Sequence, residues 1–265
     1  MIDPGTLSLA ENANTHSPLD AHHERIENER FVLCMGPGDH PSHNVAQRLR
    51  LTPETVDATV EEVHRILRER GRNACTWEIG SSATPADLRG RLYARGMVDD
   101  GDPDVVAMVL ASPPPPPPPG VEARAVRDTD EYVEAKRVAH AAFGMPTEDP
   151  AEVERWRRNW EAEQASGRAR TFVSLIDGRI VAHGTSTYTE HGVTLNGGST
   201  APDARGRGAY RALVSARWDD AVEHGIPVLV TQAGAMSRPI LERVGFVEVA
   251  RIWILLDDFT SEAPA

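Results

Sequence analysis

The residues best suited to chemistry lie in Ser199-Thr200-Ala201-Pro202-Asp203-Ala204-Arg205-Gly206-Arg207-Gly208-Ala209-Tyr210, where two glycines flank an arginine between an apolar stretch and an amphipathic one. Glycine lets the main chain approach a ligand closely. A helix that starts there turns unpaired N–H groups and the positive end of its dipole towards an anion. The stretch therefore reads as a phosphate cradle, with an ordinary strand-to-helix turn as the alternative, because short glycine motifs are weak signals alone. A Walker loop would need Gly-Lys-Ser/Thr, and Tyr210-Arg211 supplies neither the lysine nor the metal-binding hydroxyl. A dinucleotide fingerprint would need a third glycine where Arg211 stands.

Other chemistries are poorly served. The two cysteines, Cys34 and Cys75, are too far apart for a Cys-x-x-Cys site and too few for a disulfide framework. His16, His22, His23, His40 and His43 cluster in a polar region without metal-ligand spacing, so no metal is expected. A net charge of −12 argues against nucleic-acid binding. No run reaches the roughly 18 to 20 apolar residues that cross a bilayer. Met1 to Asn14 lacks an apolar signal core, so a cytoplasmic protein is expected.

The positioning elements follow from periodicity. Residues 1–20 have no sustained pattern and read as a mobile tail. Phe31 to Met35 is a buried strand, a weaker strand lies within Asn44 to Leu51, and Thr52-Pro53 supplies the N-cap and first residue of a helix carrying Val56, Val60, Val63, Ile66 and Leu67 up to Gly71. Cys75 to Ile79 is a strand, Thr84-Pro85 starts a helix closed by Gly96, and Val105 to Leu110 is another strand. The run Pro113 to Pro119 has no N–H groups to give a sheet, so 112–120 is a polyproline linker between two halves, 21–111 and 121–258, with a tail at 259–265.

In the second half, Val121 to Val126 reads as a strand, and Asp128 to Phe143 and Glu152 to Ala165 read as helices. Trp156 and Trp160 sit i,i+4 on the second helix, as core packing or as a pocket wall. Asp177-Gly178 marks a type I′ hairpin between Thr171 to Ile176 and Arg179 to Thr189. The strand Val193 to Thr200 leads into the glycine stretch. A helix to Gly225, a strand Pro227 to Thr231, a short helix capped by Ser237 and Pro239, and a last strand Phe246 to Leu256 complete the order β-α-α-β-β-β-α-β-α-β.

In that order the chain resembles the GCN5-related N-acetyltransferase (GNAT) family over most of Val121 to Leu256. Pro202 and Arg205-Gly206-Arg207-Gly208-Ala209-Tyr210 match that family's pyrophosphate loop, except that Tyr210 stands where Gly or Ala is usual. Ile240-Leu241-Glu242-Arg243-Val244-Gly245-Phe246 resembles its closing helix-Gly-Phe motif. The resemblance implies an α/β (α+β) fold with a mixed, mostly antiparallel twisted sheet flanked by helices. The first half repeats the order strand, helix, Gly71, strand, helix, Gly96, strand, which suggests a degenerate GNAT-like copy, with an unrelated small α/β domain as the alternative. Its counterpart of the cradle, Leu49-Arg50-Leu51-Thr52-Pro53, has no glycine and is not expected to bind the coenzyme.

The implied activity is transfer of an acetyl group from acetyl-CoA, as co-substrate, to an amine acceptor by direct attack within one ternary complex. A non-catalytic acyl-CoA binding or sensing module is the alternative. Gly198, Ser199, Thr200, Arg205, Gly206, Arg207, Gly208, Ala209 and Tyr210 would then hold the coenzyme, with Arg207, Arg211 or Arg238 on the outer phosphates and a strand N–H polarising the thioester carbonyl. Many family members carry a tyrosine acid on the last helix, and the matching position here is Leu241. The proton-handling candidates are accordingly Glu190, His183 and His191 as base, and Ser237 or Tyr210 as acid.

Overall fold

The computed structural model describes residues 2–16, 19, 23–36, 40–147 and 149–260, the side chains of 101–104 excepted. The elements in chain order are α1 (Pro4–Glu11), β1 (Glu24–Glu27), β2 (Val32–Met35), β3 (Asn44–Gln47), α2 (Val56–Arg68), β4 (Ala74–Gly80), α3 (Leu88–Ala94) and β5 (Val98–Leu110). Next come β6 (Val121–Ala125), α4 (Thr129–Ala142), α5 (Pro150–Ser166), β7 (Ala169–Ile176), β8 (Arg179–Thr189), β9 (Gly192–Thr200), α6 (Ala209–Glu223), β10 (Leu229–Ala233), α7 (Arg238–Val244) and β11 (Val247–Asp258). They form two compact units. One is Met1–Met108 with Gln232–Pro239 and Glu248–Ala265, and the other is Val109–Thr231 with Ile240–Val247. Among the described residues no helix is long and apolar enough to cross a membrane.

The first unit orders its strands β1-β2-β3-β4-β11-β5. The division differs from the sequence-drawn boundaries because β11, the last strand of the chain, pairs antiparallel with β4 from Ile252↔Gly80 to Asp258↔Ala74. The core side chains explain the fit. Trp77 is fully buried, and its indole Nε1 donates to Asp257 Oδ2 at 2.9 Å, while His64 Nε2 lies 2.8 Å from the same oxygen. Phe259 stacks on His64 at 3.9 Å and is buried, so the expected tail at 259–265 begins in core, with 261–265 outside the described residues. Burial also raises both thiols, Cys34 to about 11 and Cys75 well above its ordinary value.

The N-terminal expectation is corrected as well. Residues 4–11 form a helix in place of a mobile tail, because Asp3 caps it by accepting from Thr6 N at 3.0 Å, Pro4 starts it, and Leu9, Ala10 and Glu11 are buried. Residues 17, 18 and 20 lie outside the described residues. The helix expected at Pro53 starts instead at Val56, since Thr52 to Thr55 closes a turn with Thr55 N donating to Thr52 O at 3.0 Å. Glu11 reaches the end of β4, where any side chain at Gly80 would collide with it, and just beyond Ser82 N donates to its Oε1 at 2.7 Å. Beside it the Gln47 amide donates to Glu78.

The second unit orders its strands β10-β9-β8-β7-β6. The Asp177-Gly178 turn takes φ values of 53° and 76°, as a type I′ hairpin requires. Helix α6 packs against β6, β7 and β8, and α4 packs against β8 and β9. Trp156 is buried edge-on to His140 at 4.6 Å, and Trp160 packs on Tyr132 at 5.3 Å, so the tryptophan pair is core. The fold is therefore the mixed, mostly antiparallel sheet with flanking helices that the sequence predicts.

Burial pushes the Glu78 carboxyl up to about 7, against which the Gln47 hydrogen bond acts only in part. Between about 4.5 and 7 the folded chain then holds a proton that the unfolded chain has released. Stability should fall as pH rises through that window and flatten above it. Urea midpoints measured from pH 4.5 to 8 should show this slope in the native chain and lose it in Glu78→Gln.

Candidate functional site

Strand β9 is paired on one side except at a bulge, and only briefly on the other. Its antiparallel ladder with β8 runs from Thr189↔Gly192 to Ala182↔Thr200, with a register shift between His183 and Thr185. Its parallel ladder with β10 comprises Leu229↔Val193 and Val230↔Thr194. Beyond that point Thr231 Oγ1 donates to Leu195 O at 3.1 Å, and among the described residues no further β9–β10 pair forms. Asn196, Gly197 and Gly198 are exposed there, and Gly197 takes a φ of +60° in the resulting bulge. A bulge re-aims main-chain groups away from the ladder.

The glycine stretch lies at the end of β9. A 3-10 turn at Pro202–Ala204 leads to Gly206 at φ +77° and Gly208 at φ +83°, both in the left-handed region. Gly208 is the N-cap of α6, no side chain caps that helix, and no acid lies in its first turn. Arg211, in the same turn, has a buried Nε without a hydrogen-bond partner. Uncapped N–H groups, the dipole end and an unsatisfied guanidinium nitrogen together suit an anionic group. Arg205 braces the turn, its guanidinium donating to Ala142 O at 3.2 Å and Thr200 O at 3.4 Å, whereas Arg207 points outward to Asp177 at 3.7 Å. Arg238 pairs with Glu248 at 2.7 Å within the first unit.

The polyproline run contributes directly to this turn. A Cβ added at Gly208 would lie 2.5 Å from Pro118 Cγ, so the last prolines lean on the second cradle glycine. Tyr210 turns inward to the sheet, where a Cβ at Gly198 would lie 2.8 Å from its ring. Its ring thus packs beneath Gly198, and burial raises its hydroxyl above the ordinary tyrosine value.

The remaining candidates scatter. Glu190 is exposed in the β8–β9 turn, paired with His191 at 3.0 Å. That turn is about 8 residues from Thr200 along β9, or roughly 26 Å. Ser237 lies in the first unit, in a turn where its hydroxyl donates to Gly234 O at 3.4 Å. His183 and Ser199 are brought together as partners across the β8–β9 ladder, both buried, and the Ser199 hydroxyl has no hydrogen-bond partner. Burial and the charge of Lys136 hold the His183 imidazole well below its ordinary pKa. Among the described residues no group of three His, Cys, Asp or Glu side chains could hold a metal, and His22 lies outside them.

One buried and one half-buried cation escape a sequence reading. Arg217 on α6 is fully buried, its Nε donating to Ser186 Oγ at 3.1 Å and its Nη2 to Thr185 O, with Nη1 unpartnered over Gly184. Lys136, the only lysine of the chain, reaches His183 from α4. Its place i+3 from Val133 and i+4 from Tyr132 is the signal that could have exposed it, a cation on an apolar helical face.

Against solved structures the whole chain finds matches. A GCN5-related N-acetyltransferase from Kribbella flavida superposes with a TM-score of 0.69 at 19% identity over 95% of each chain. A tandem GNAT protein from the clavulanic acid biosynthesis pathway does so at 0.65 and 14% identity, over 98% of this chain and 95% of that one. The fold is that of the GCN5-related N-acetyltransferases, in two halves. A third match, a GCN5-related N-acetyltransferase from Sphaerobacter thermophilus, has a TM-score of 0.64 at 18% identity over 90% of this chain and 83% of that one. No family model matches the sequence, and no curated protein matches it. Within this GNAT fold the turn before α6 holds two glycines in the left-handed region, and the bulge of β9 holds a third.

The two cradle glycines should respond differently to a methyl group. Gly206→Ala meets no atom within 4 Å and should cost only left-handed strain, about 1 to 2 kcal/mol. Gly208→Ala meets Pro118 as well and should cost visibly more in denaturant unfolding of the full chain. Equal costs would mean that the proline contact is immaterial.

Proposed function

We propose that the second unit binds acetyl-CoA and transfers its acetyl group to an amine. The carrying observation is the uncapped start of α6 at left-handed Gly208, with the partnerless Arg211 Nε beside it, at the end of a strand whose edge is open from Asn196. The pyrophosphate would rest on the N–H groups of Gly206 to Tyr210, braced by Arg205. Gly198, Ser199 and Thr200 offer the open edge to the pantetheine arm, and a bulge N–H polarises the thioester carbonyl. The amine nitrogen attacks the carbonyl carbon, the C–S bond breaks with its electron pair going to sulfur, and the amine proton leaves to water. The thiolate is a good leaving group and takes its proton from solvent.

One observation favours the second reading, an acyl-CoA sensor. Leu241 occupies the place where the resemblance expects a tyrosine acid, and its side chain is buried with 1% exposure. Calorimetric titration of the full chain with acetyl-CoA, followed by thiol release over a panel of amines, separates the two. Acetyl-CoA at about 100 times Kd should stabilise the chain by about 2.7 kcal/mol, and thiol should appear with at least one acceptor. Tight binding without turnover on any amine supports the sensor. Neither binding nor stabilisation overturns both readings.

A further inference from the structure

The Gly197–Gly198 bulge has little intrinsic stiffness. Two successive exposed glycines carry the greatest backbone freedom of any residue pair, and beyond Leu195 and Thr231 β10 no longer holds them. A main-chain N–H that polarises a carbonyl must nevertheless be fixed before the reaction. Tyr210 packs beneath Gly198, and a second side chain holds the bulge by a hydrogen bond. His183, 3% exposed, places Nδ1 3.2 Å from the carbonyl oxygen of Gly197. Its other nitrogen, Nε2, lies 3.2 Å from Lys136 Nζ.

An ammonium group can only donate, so Nε2 accepts and the ring proton must sit on Nδ1, facing Gly197 O. Lys136 is itself anchored over the Tyr132 ring at 5.0 Å and lies in the field of Glu163, whose carboxylate takes hydrogen bonds from Thr171 N at 2.7 Å and Thr171 Oγ1 at 2.8 Å. Both ring nitrogens are thus engaged, and neither is available to an acceptor amine.

We infer that His183, locked in one tautomer by Lys136, is the residue that positions the β9 bulge for the acyl carbonyl, and that it is not the base of the reaction. The inference rests on the acyl-transfer reading for its purpose, while its geometry can be tested without turnover.

Amide hydrogen exchange of Gly198 to Thr200 in the free full-length chain provides that test. His183→Leu should speed exchange there by about tenfold or more and leave β7 amides unchanged. His183→Asn, whose side-chain amide can replace the Nδ1 donor, should keep most of the protection. Nitrogen NMR of the native His183 ring should show the proton on Nδ1, and Lys136→Met should let it distribute over both nitrogens. Unchanged exchange in His183→Leu, or a native ring protonated on Nε2, overturns the inference even if His183→Leu folds poorly.

Kinetics supply a second arm. With acetyl-CoA and a responsive amine, His183→Leu should lower kcat by about 10- to 100-fold with KM for acetyl-CoA within about threefold. His183→Asn should recover most of that loss. An Asn variant that keeps its exchange protection but is as slow as the Leu variant would make His183 a proton acceptor and sink the positioning role. If native protein binds no acetyl-CoA, the acyl-transfer reading falls, and the exchange and NMR results still decide what holds the bulge.

Discussion

The early separation of β9 from β10 is the constraint on which the second unit's site depends. Two parallel pairs, ending at Val230↔Thr194, are enough to align the strands but leave the backbone groups of 196–200 without a β10 partner. Some of those groups find side chains instead, His183 Nδ1 lying 3.2 Å from Gly197 O and Arg205 Nε donating to Thr200 O at 3.4 Å. On its other side β9 pairs with β8 on both sides of the bulge, from Gly192 to Asn196 and again at Ser199 and Thr200, so the ends of the open edge are anchored. The same strand then delivers the chain to the left-handed glycines and the bare start of α6. One strand therefore presents an extended hydrogen-bonding edge and, a few residues on, an anion seat.

The first half builds the same frame and fills it. Its β3–β4 pair is also parallel and also short, Val45↔Thr76 and Ala46↔Trp77. Past that pair Gln47 bonds to Glu78, and Glu11 from the N-terminal helix accepts from Ser82 N. Two acidic side chains occupy the region, and the loop to α2 has Thr52-Pro53 in place of glycines. An anion would face carboxyl groups there instead of free N–H donors, which disfavours it on charge alone. The copy retains the architecture, completed by β11 in its sheet, while the chain's own residues take up the space.

What was legible in the sequence is what local backbone chemistry dictates. Asp177-Gly178 announces its turn because positive φ angles are needed there, and Gly206 and Gly208 announce theirs for the same reason. Asp128, which accepts from Glu131 N at 2.9 Å, marks the start of α4 through its cap. Helix α1 was hidden although Asp3-Pro4 is a proper start, because eight residues cannot hold a helix without tertiary burial, and the burial of Leu9 and Ala10 is visible only in the fold. Strand β1, Glu-Arg-Ile-Glu, has one apolar residue and exists because β2 pairs with it. The periodicity of β11 says that it is a strand and is silent on its partner, so its place beside β4 could not be read.

The electrostatics of the bulge run against the charge of the whole chain. The net charge is −12, yet the β8 segment opposite the bulge lies between two desolvated cations. Strand alternation sends His183 to the α4 face, against Lys136, and Gly184 and Ser186 to the α6 face, against Arg217. Burial lowers both, Arg217 to about 10 with no carboxylate hydrogen-bonded to it, so it remains charged at neutral pH. Removing a cation from water is costly, and at Arg217 hydrogen bonds to neutral acceptors offset part of it while one unpartnered nitrogen adds to it. Distant surface carboxylates are screened within about 10 Å at ordinary salt, whereas buried charges act through a low dielectric. The β8 segment opposite the bulge thus has Lys136 on one face, itself acted on by the Glu163 carboxyl, and Arg217 on the other.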